Sequence, residues 1–274
     1  MHQKLKNLQA YFKEAGSAAI AFSGGVDSTF LLATAAEVLP KEKVLAITVA
    51  SPFFPRKEKS EAEAFCAGRN IKHIFLSIDV LAVEGVKQNP QNRCYLCKRA
   101  LFTQIKEAAA RNGIDFVCEG SNTDDLNDYR PGMKAIAELQ IKSPLRDAGL
   151  NKSEIRALSK EMNLPTWNKP SFACLASRFV YGELISEEKL KMVDKAEQLL
   201  IDSGFSQVRV RIHGKIARIE ILPEEFSKIM EPEIREKIYT AFTNFGFSYT
   251  TLDLRGYRTG SMNETLFRTE NGKI

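Results

Sequence analysis

The sequence has no run of about 18 uninterrupted apolar residues, so no segment is suited to cross a membrane as a helix. Its opening stretch, MHQKLKNLQAYFKEAG, reads as an amphipathic helix and lacks the apolar core and cleavage site of a signal peptide. The expected location is therefore the cytoplasm. A strong charge of one sign is also missing, because 39 Lys and Arg against 34 Asp and Glu leave a net charge of +5. That suits a protein handling anions such as nucleotides and also fits weak nucleic-acid binding, so charge decides neither. Histidine is scarce, with only His2, His73 and His213, and Trp167 is the single tryptophan. The five cysteines, Cys66, Cys94, Cys97, Cys118 and Cys174, are an odd number in a chain without a secretion signal, which argues against a disulfide framework. Internal repeats and low-complexity segments are absent. The 44% apolar and 27% charged content excludes disordered and collagen-like classes.

The 274 residues suffice for one large domain or two modest ones. Up to about residue 165, short β-rich apolar runs at 18–22, 44–50, 73–78 and 115–120 alternate with helical patterns at 28–39, 56–69 and 95–112. Such alternation predicts an α/β fold, a doubly wound parallel sheet with helices on both faces. Asn151 followed by Glu154 predicts a capped helix with Ile155, Leu158 and Met162 on one face. Residues 164–185 hold two prolines and no clear period and read as a connecting loop. Beyond it the pattern changes to a helix at 186–203, then Val208, Val210 and Ile212 alternating with Arg209, Arg211 and His213. Ala217, Ile219 and Ile221 follow, alternating with Arg218 and Glu220. This predicts an antiparallel hairpin buried on one face, then a helix at 231–245 and a strand at 248–254. The expected domains are 1–180 and a smaller α+β unit at 181–274.

In a doubly wound sheet, ligands bind beyond the carboxyl ends of the strands. The first strand here leads into Ser23, Gly24, Gly25, Val26, Asp27 and Ser28, SGGVDS, and then a helix that is apolar nearly all round. Two glycines let the backbone approach a ligand, successive N–H groups can cradle phosphate, and the helix dipole adds positive potential. Ser23 and Ser28 can donate hydroxyl hydrogen bonds. Asp27 suits a phosphate site when Mg²⁺ lies between the two anions. The Walker pattern GxxxxGK[ST] and the dinucleotide pattern GxGxxG are both missing. A glycine turn with a Ser/Asp helix cap is the plain alternative.

Cys94 and Cys97 form a CxxC at a helix start, and Cys174 lies in the irregular loop PSFACLASRF. CxxC by itself fits a redox pair, half a zinc site, half a cluster site, or coincidence. A zinc site wants a fourth ligand, and no histidine stands out as one. Three thiolates without an obvious fourth suit a [4Fe–4S] cluster with one open iron. Cys66 on a helical face and Cys118 within a strand read as small core residues.

SGGVDS in this context resembles the loop of the N-type ATP pyrophosphatases, which cleave ATP between the α- and β-phosphates. NDYRPG (127–132), WNKP (167–170), CLASRFVYG (174–182), VRVR (208–211), IARIE (216–220) and LDLRGYRTGSMNE (252–264) together resemble the LarE family, over nearly the whole chain. Those enzymes are the pyridinium-3,5-bisthiocarboxylic acid mononucleotide synthases of nickel-pincer cofactor assembly. The resemblance implies adenylylation of a carboxylate of pyridinium-3,5-dicarboxylate mononucleotide, with ATP and Mg²⁺, and displacement of AMP by sulfur. The family has two sulfur sources. One form sacrifices a single cysteine, at the position of Cys174, leaving dehydroalanine. The other carries three cysteines and a [4Fe–4S] cluster that accepts sulfide. Cys94, Cys97 and Cys174 match the cluster form, so sulfide or another sulfur donor is expected.

On chemical grounds, since two anions must meet, Asp27 is the candidate to bind metal or orient the loop, and Arg178, four residues after Cys174, to bind phosphate or carboxylate, unless it is a solvated loop arginine. The resemblance also implies roles for single residues. Glu197 matches a family acid near the active cysteine and otherwise reads as a surface helix residue. Arg209 and Arg211 match paired arginines that contact the substrate phosphate, against the reading of a solvated strand face. Asp125, Asp128 and Arg130 follow the fourth strand, at the sheet's carboxyl end. Trp167 reads as loop packing. A homo-oligomer, in the family's case a hexamer, is expected, with no nucleic-acid or membrane partner. Three rivals remain at this level: a tRNA thiolation enzyme of the same superfamily, an amidating ligase, and a non-enzymatic nucleotide or iron–sulfur module.

Overall fold

The computed structural model describes residues 1–54, 56–127, 131–170, 173–258 and 260–261. The chain divides into two compact units: residues 1–83 with 92–172, and residues 84–91 with 173–274.

The first unit is a four-stranded parallel sheet with helices on both faces. Its elements are α1 (His2–Ala15), β1 (Ala18–Ala21), α2 (Val26–Val38), β2 (Val44–Ala50), α3 (Arg56–Gly68) and β3 (Lys72–Ser77). They continue as α4 (Arg93–Arg111), β4 (Val117–Cys118), α5 (Gly132–Glu138), α6 (Pro144–Asp147) and α7 (Lys152–Glu161). Strand order is β3-β2-β1-β4, every pair parallel. The chain builds outward from β1 through β2 to β3, then returns to place β4 on the other side of β1. The order therefore reverses between β1 and β4, and their carboxyl ends open the crevice where ligands bind in such sheets.

Alternation along the strands sorts the core into two layers. Ala18 and Ile20 of β1 and Val44 and Ala46 of β2 pack with α1, α2 and α7. Ala19, Leu45 and Ile47 point the other way, against Phe102, Ile105 and Ala109 of α4 and Ile136 of α5. α2 is buried around most of its surface, because α1, α6 and α7 pack against it and it lies on β1 and β2. Its Thr34 hydroxyl is spent inside the helix, donating to the Phe30 carbonyl at 2.9 Å. β4 is shorter than the 115–120 run suggests. Only Val117 and Cys118 pair with β1, and the Glu119 N–H already turns to the Lys142 carbonyl at 2.9 Å. Residues 119–125 are thereby released to line the crevice. The Asn151 cap forms as a full capping box, with the Glu154 N–H donating to Asn151 Oδ1 at 2.9 Å and the Asn151 N–H donating back to Glu154 at 3.1 Å.

The second unit holds α8 (Glu187–Asp202), β5 (Arg209–His213), β6 (Ile216–Glu220), α9 (Phe226–Ile229), α10 (Pro232–Phe245) and β7 (Tyr249–Leu252). β5 and β6 form the expected antiparallel hairpin, and β7 adds parallel to β6 after the two helices. Residues 84–91 belong to this unit, where the Gly182 N–H donates to the Asn89 carbonyl and the Ile185 N–H to the Lys87 carbonyl, each at 2.9 Å. The expectation of a hairpin buried on one face is corrected here: Arg209, Val210, Arg211 and Ile212 are all buried. Glu220 on β6 pairs with Arg211 at 3.0 Å, and Arg209 donates to the Val208 carbonyl at 2.7 Å, so both arginines find partners inside the protein.

Candidate active site

β1 ends into the glycine loop under tight control. The Phe22 N–H donates to the Ile47 carbonyl at 2.9 Å, and the Thr48 hydroxyl donates to the Phe22 carbonyl at 2.7 Å. Since the Thr48 hydrogen is spent there, His73 Nε2, 2.8 Å away, must be the donor of their bond. His73 is thereby held as one neutral tautomer, and burial lowers its pKa.

The loop itself is only loosely satisfied. The Ser23 N–H reaches Ser28 Oγ at 3.3 Å, the Gly25 N–H reaches Ser23 Oγ at 3.4 Å, and the two hydroxyls lie 3.1 Å apart. The Ser28 hydroxyl also reaches the Gly25 carbonyl at 3.3 Å. These are weak bonds that a phosphate oxygen would replace with stronger ones. α2 starts at Val26 with no side-chain cap, so its first N–H groups add further donors. Gly24 has φ +72°, the left-handed region that favours glycine, and a Cβ there would stand in ordinary contact with the Glu58 carbonyl at 3.4 Å.

Asp27 points into the crevice between β1 and β4. Its carboxylate pairs with the Lys152 ammonium and accepts from the Asn122 amide at 3.4 Å. Burial raises its pKa against the opposing pull of Lys152, and the charge of Asp125 pushes the same way as burial. Asp125 holds the loop after β4 by accepting from the Asn122 N–H at 2.9 Å, and Asp124 accepts from the Lys152 N–H at 3.0 Å. Gly120 lets this loop approach α2, because a Cβ there would lie 3.1 Å from the Ser28 nitrogen and 3.2 Å from Asp27 Cβ. Next to it, the buried Glu119 carboxylate accepts from the Ser143 hydroxyl at 2.6 Å and the Ser121 hydroxyl at 2.8 Å. Asp128 and Arg130 lie outside the described residues. The geometry brings the loop, Asp27 and Asp125 to one crevice. It adds Lys152, Asn122 and Gly120, which sequence reasoning passed over. Two signals pointed to them: Lys152 directly follows the Asn151 cap, and Asn122 sits in the polar run SNTDD after β4.

The second unit contains a buried cluster of arginines and acids. Arg178, fully buried, makes a two-pronged pair with Glu197, Nε to Oε1 and Nη2 to Oε2, both at 2.8 Å. Its Nη1 donates to the Ala173 carbonyl and to Ser177 Oγ, each at 2.8 Å, and to the Cys174 carbonyl at 3.3 Å. Glu197 also accepts from the Val210 N–H at 2.8 Å. Burial works to raise the Glu197 pKa, but the Arg178 guanidinium outweighs it and holds the carboxyl below its usual range. Arg211 donates to the Ser177 carbonyl at 2.8 Å, to Glu220 at 3.0 Å and to Ser261 Oγ at 2.9 Å. Arg209 lies over the Tyr257 ring at 5.3 Å. Burial, and next the charge of Arg178, lower the Arg209 pKa to about 10. Arg178, Glu197, Arg209 and Arg211 thus come together, with Ser177, Glu220 and Ser261 as partners the sequence did not reveal. The segment Ala173–Arg178 is clasped to α8 and β5 by two of these arginines.

Cys94 and Cys97 sit one turn apart at the start of α4, the first half-buried and the second buried. Cys174 precedes the short turn Leu175–Arg178 and is half-buried. None of the five cysteines is in a disulfide. Cys66 and Cys118 are buried, and burial raises both thiols, Cys66 to about 12. Among the described residues, no three His, Cys, Asp or Glu side chains gather as a metal site. By its chemistry and its place on one helix face, the CxxC pair suits two thiolate ligands of a cluster, while Cys174 belongs to the second unit.

Comparison with known proteins bears on this arrangement. Residues 1–129 match the PP-loop domain family. The chain is 35% identical, over 97% of its length and 96% of the relative's, to the pyridinium-3,5-bisthiocarboxylic acid mononucleotide synthase of Lactiplantibacillus plantarum. It belongs to the LarE family. Two uncharacterized relatives have similar extent. The one from Synechocystis is 41% identical over 97% of this chain and 99% of its own, and the one from Methanocaldococcus jannaschii is 33% identical over 93% and 96%. The matched stretch covers residues of both units. No helix among the described residues is long and apolar enough to cross a membrane.

Proposed function

We propose that the protein is an ATP-dependent sulfurtransferase acting on pyridinium-3,5-dicarboxylate mononucleotide. The observation that carries the reading is the loosely bonded SGGVDS cradle in front of α2, with Asp27 and Lys152 beside it, in a chain related to a LarE synthase over 97% of its length. A substrate carboxylate oxygen attacks the α-phosphorus, the bond to the β-phosphate oxygen breaks, and pyrophosphate leaves from the cradle. Sulfur then attacks the acyl carbon, the bond to the AMP oxygen breaks, and a thiocarboxylate results. Both first-step reactants are anions, so cations must offset their repulsion. Asp27 would hold Mg²⁺ there, and Lys152 would act as a fixed charge. Arg209 and Arg211 suit the substrate phosphate, while Arg178 and Glu197 position Cys174 by clasping its segment. Asp128 and Arg130 remain proposed substrate contacts.

For sulfur, Cys94, Cys97 and Cys174 would hold a [4Fe–4S] cluster, which when bound supplies sulfide. The support is the count of three thiols and the CxxC at the start of α4. The consumption of ATP and the use of thiols support a cytoplasmic location. A homo-oligomer is supported by the apolar side chains Met230, Tyr239, Tyr249 and Leu254, all exposed on the second unit.

The deciding experiment measures pyrophosphate release with and without pyridinium-3,5-dicarboxylate mononucleotide. Release that needs this substrate supports the reading, and release indifferent to it overturns it. Anaerobic protein reconstituted with iron and sulfide should absorb broadly near about 400 nm if the cluster forms, and colourless protein overturns that part.

A further inference from the structure

The WNKP stretch has no role in the chemistry above, yet one of its side chains touches the phosphate loop. The Lys169 ammonium lies 3.0 Å from the Gly24 carbonyl oxygen and 2.7 Å from Glu61 Oε2, with Glu58 Oε1 at 4.0 Å. It is largely buried, with 14% of the side chain exposed. Its backbone is set in place from α7. The Arg156 guanidinium donates to the Trp167 and Lys169 carbonyls, each at 2.7 Å, and the Lys169 N–H donates to Thr166 at 3.0 Å. Lys160 lies over the Trp167 ring at 4.8 Å. A cation brought this carefully to one glycine carbonyl calls for an explanation.

The planar peptide supplies it. The Gly24 carbonyl and the Gly25 N–H belong to the same peptide unit and point in opposite directions. Gly24 is at φ +72°, and with glycine on both sides of this peptide no side chain restricts its rotation. Turned over, it would present a carbonyl oxygen to the phosphates where an N–H is needed. Glu58 and Glu61 add two carboxylates behind the loop, and their field would repel pyrophosphate if left unneutralised. We propose that Lys169 is a positioning residue of the pyrophosphate loop. Its ammonium captures the Gly24 carbonyl, keeps the Gly25 N–H facing the β- and γ-phosphates, and neutralises Glu58 and Glu61. This inference rests on the ATP reading above.

The test compares the parent protein with Lys169→Met and Lys169→Arg. Binding of Mg·ATP, inorganic pyrophosphate and AMP is measured by calorimetry, with melting temperature alongside. AMP lacks the two outer phosphates and so reports the rest of the site. Loss of one charge-assisted hydrogen bond predicts that Lys169→Met weakens ATP and pyrophosphate binding by about tenfold or more, with AMP changed by less than about twofold. Lys169→Arg should recover most of the loss. Equal weakening of ATP and AMP, or unchanged ATP and pyrophosphate affinity, overturns the proposal. If Lys169→Met does not fold, Lys169→Gln carries the same comparison. A parent protein that binds neither ATP nor pyrophosphate overturns the ATP reading itself, an outcome distinct from parent-like binding by the variant.

Discussion

Single side chains here are set by what burial does to charge. Asp27 is the example: burial raises its pKa even though Lys152 sits against it, so the ionised carboxylate is costly until a cation of higher charge arrives. Asp27→Asn removes the only carboxylate within the SGGVDS cradle. It should reduce pyrophosphate release by about 100-fold or more while ATP-independent folding persists, as read by release assays beside circular dichroism. The histidines set a pH dependence. Burial lowers the pKa of both His73 and His213, so the unfolded chain binds protons more readily than the folded one. Their contribution to stability is fully present above the ordinary value of 6.5 and is lost as pH falls from there toward the lowered folded-state values. Melting temperature should therefore drop between pH 7.5 and 5.5, and His73→Gln should flatten that drop.

At the level of elements, a helix cap and the buried Arg178–Glu197 pair each fix a segment of the site. The α7 capping box satisfies two orphan donors and aims Lys152 at Asp27. Asn151→Ala should cost about 1 kcal/mol by urea denaturation. The Arg178–Glu197 pair ties α8 to the segment that carries Cys174. Glu197→Ala leaves a buried guanidinium uncompensated and should cost about 3–5 kcal/mol, whereas Arg178→Met with Glu197→Leu should cost less than Glu197→Ala alone. The exposed pair Lys191–Glu187 gives the contrast, since its loss should stay below about 0.5 kcal/mol. A double-mutant comparison in which Lys191→Ala matched Glu197→Ala would contradict this ranking.

For the whole molecule, the order β3-β2-β1-β4 matters most, because it puts the loop after β1 and the loop after β4 at one crevice. The second unit adds the arginine cluster and the exposed apolar side chains. If Tyr249 and Leu254 lie in a subunit interface, Tyr249→Asp with Leu254→Asp should lower the mass measured by light scattering. A mass unchanged by the pair, or a monomeric parent, would count against the oligomer.

The alternating runs from 18 to 120, the Asn151–Glu154 cap, the SGGVDS loop and the hairpin after 208 were all legible in the sequence. Each is a local pattern: strand period, helix cap, glycine turn, residue alternation. Which residues from distant segments meet was decided only by the tertiary structure. Lys152 reaches Asp27 across 125 positions, Lys169 reaches Gly24 across 145, and Arg211 reaches Ser261 across 50. Pairings of this kind depend on the sheet order and on where each helix starts, not on the local pattern. The arginines of β5 make the same point. Their alternation reads as a wet face, yet the structure buries it, with Glu220 of β6 pairing Arg211 and Glu197 of α8 accepting from the Val210 N–H.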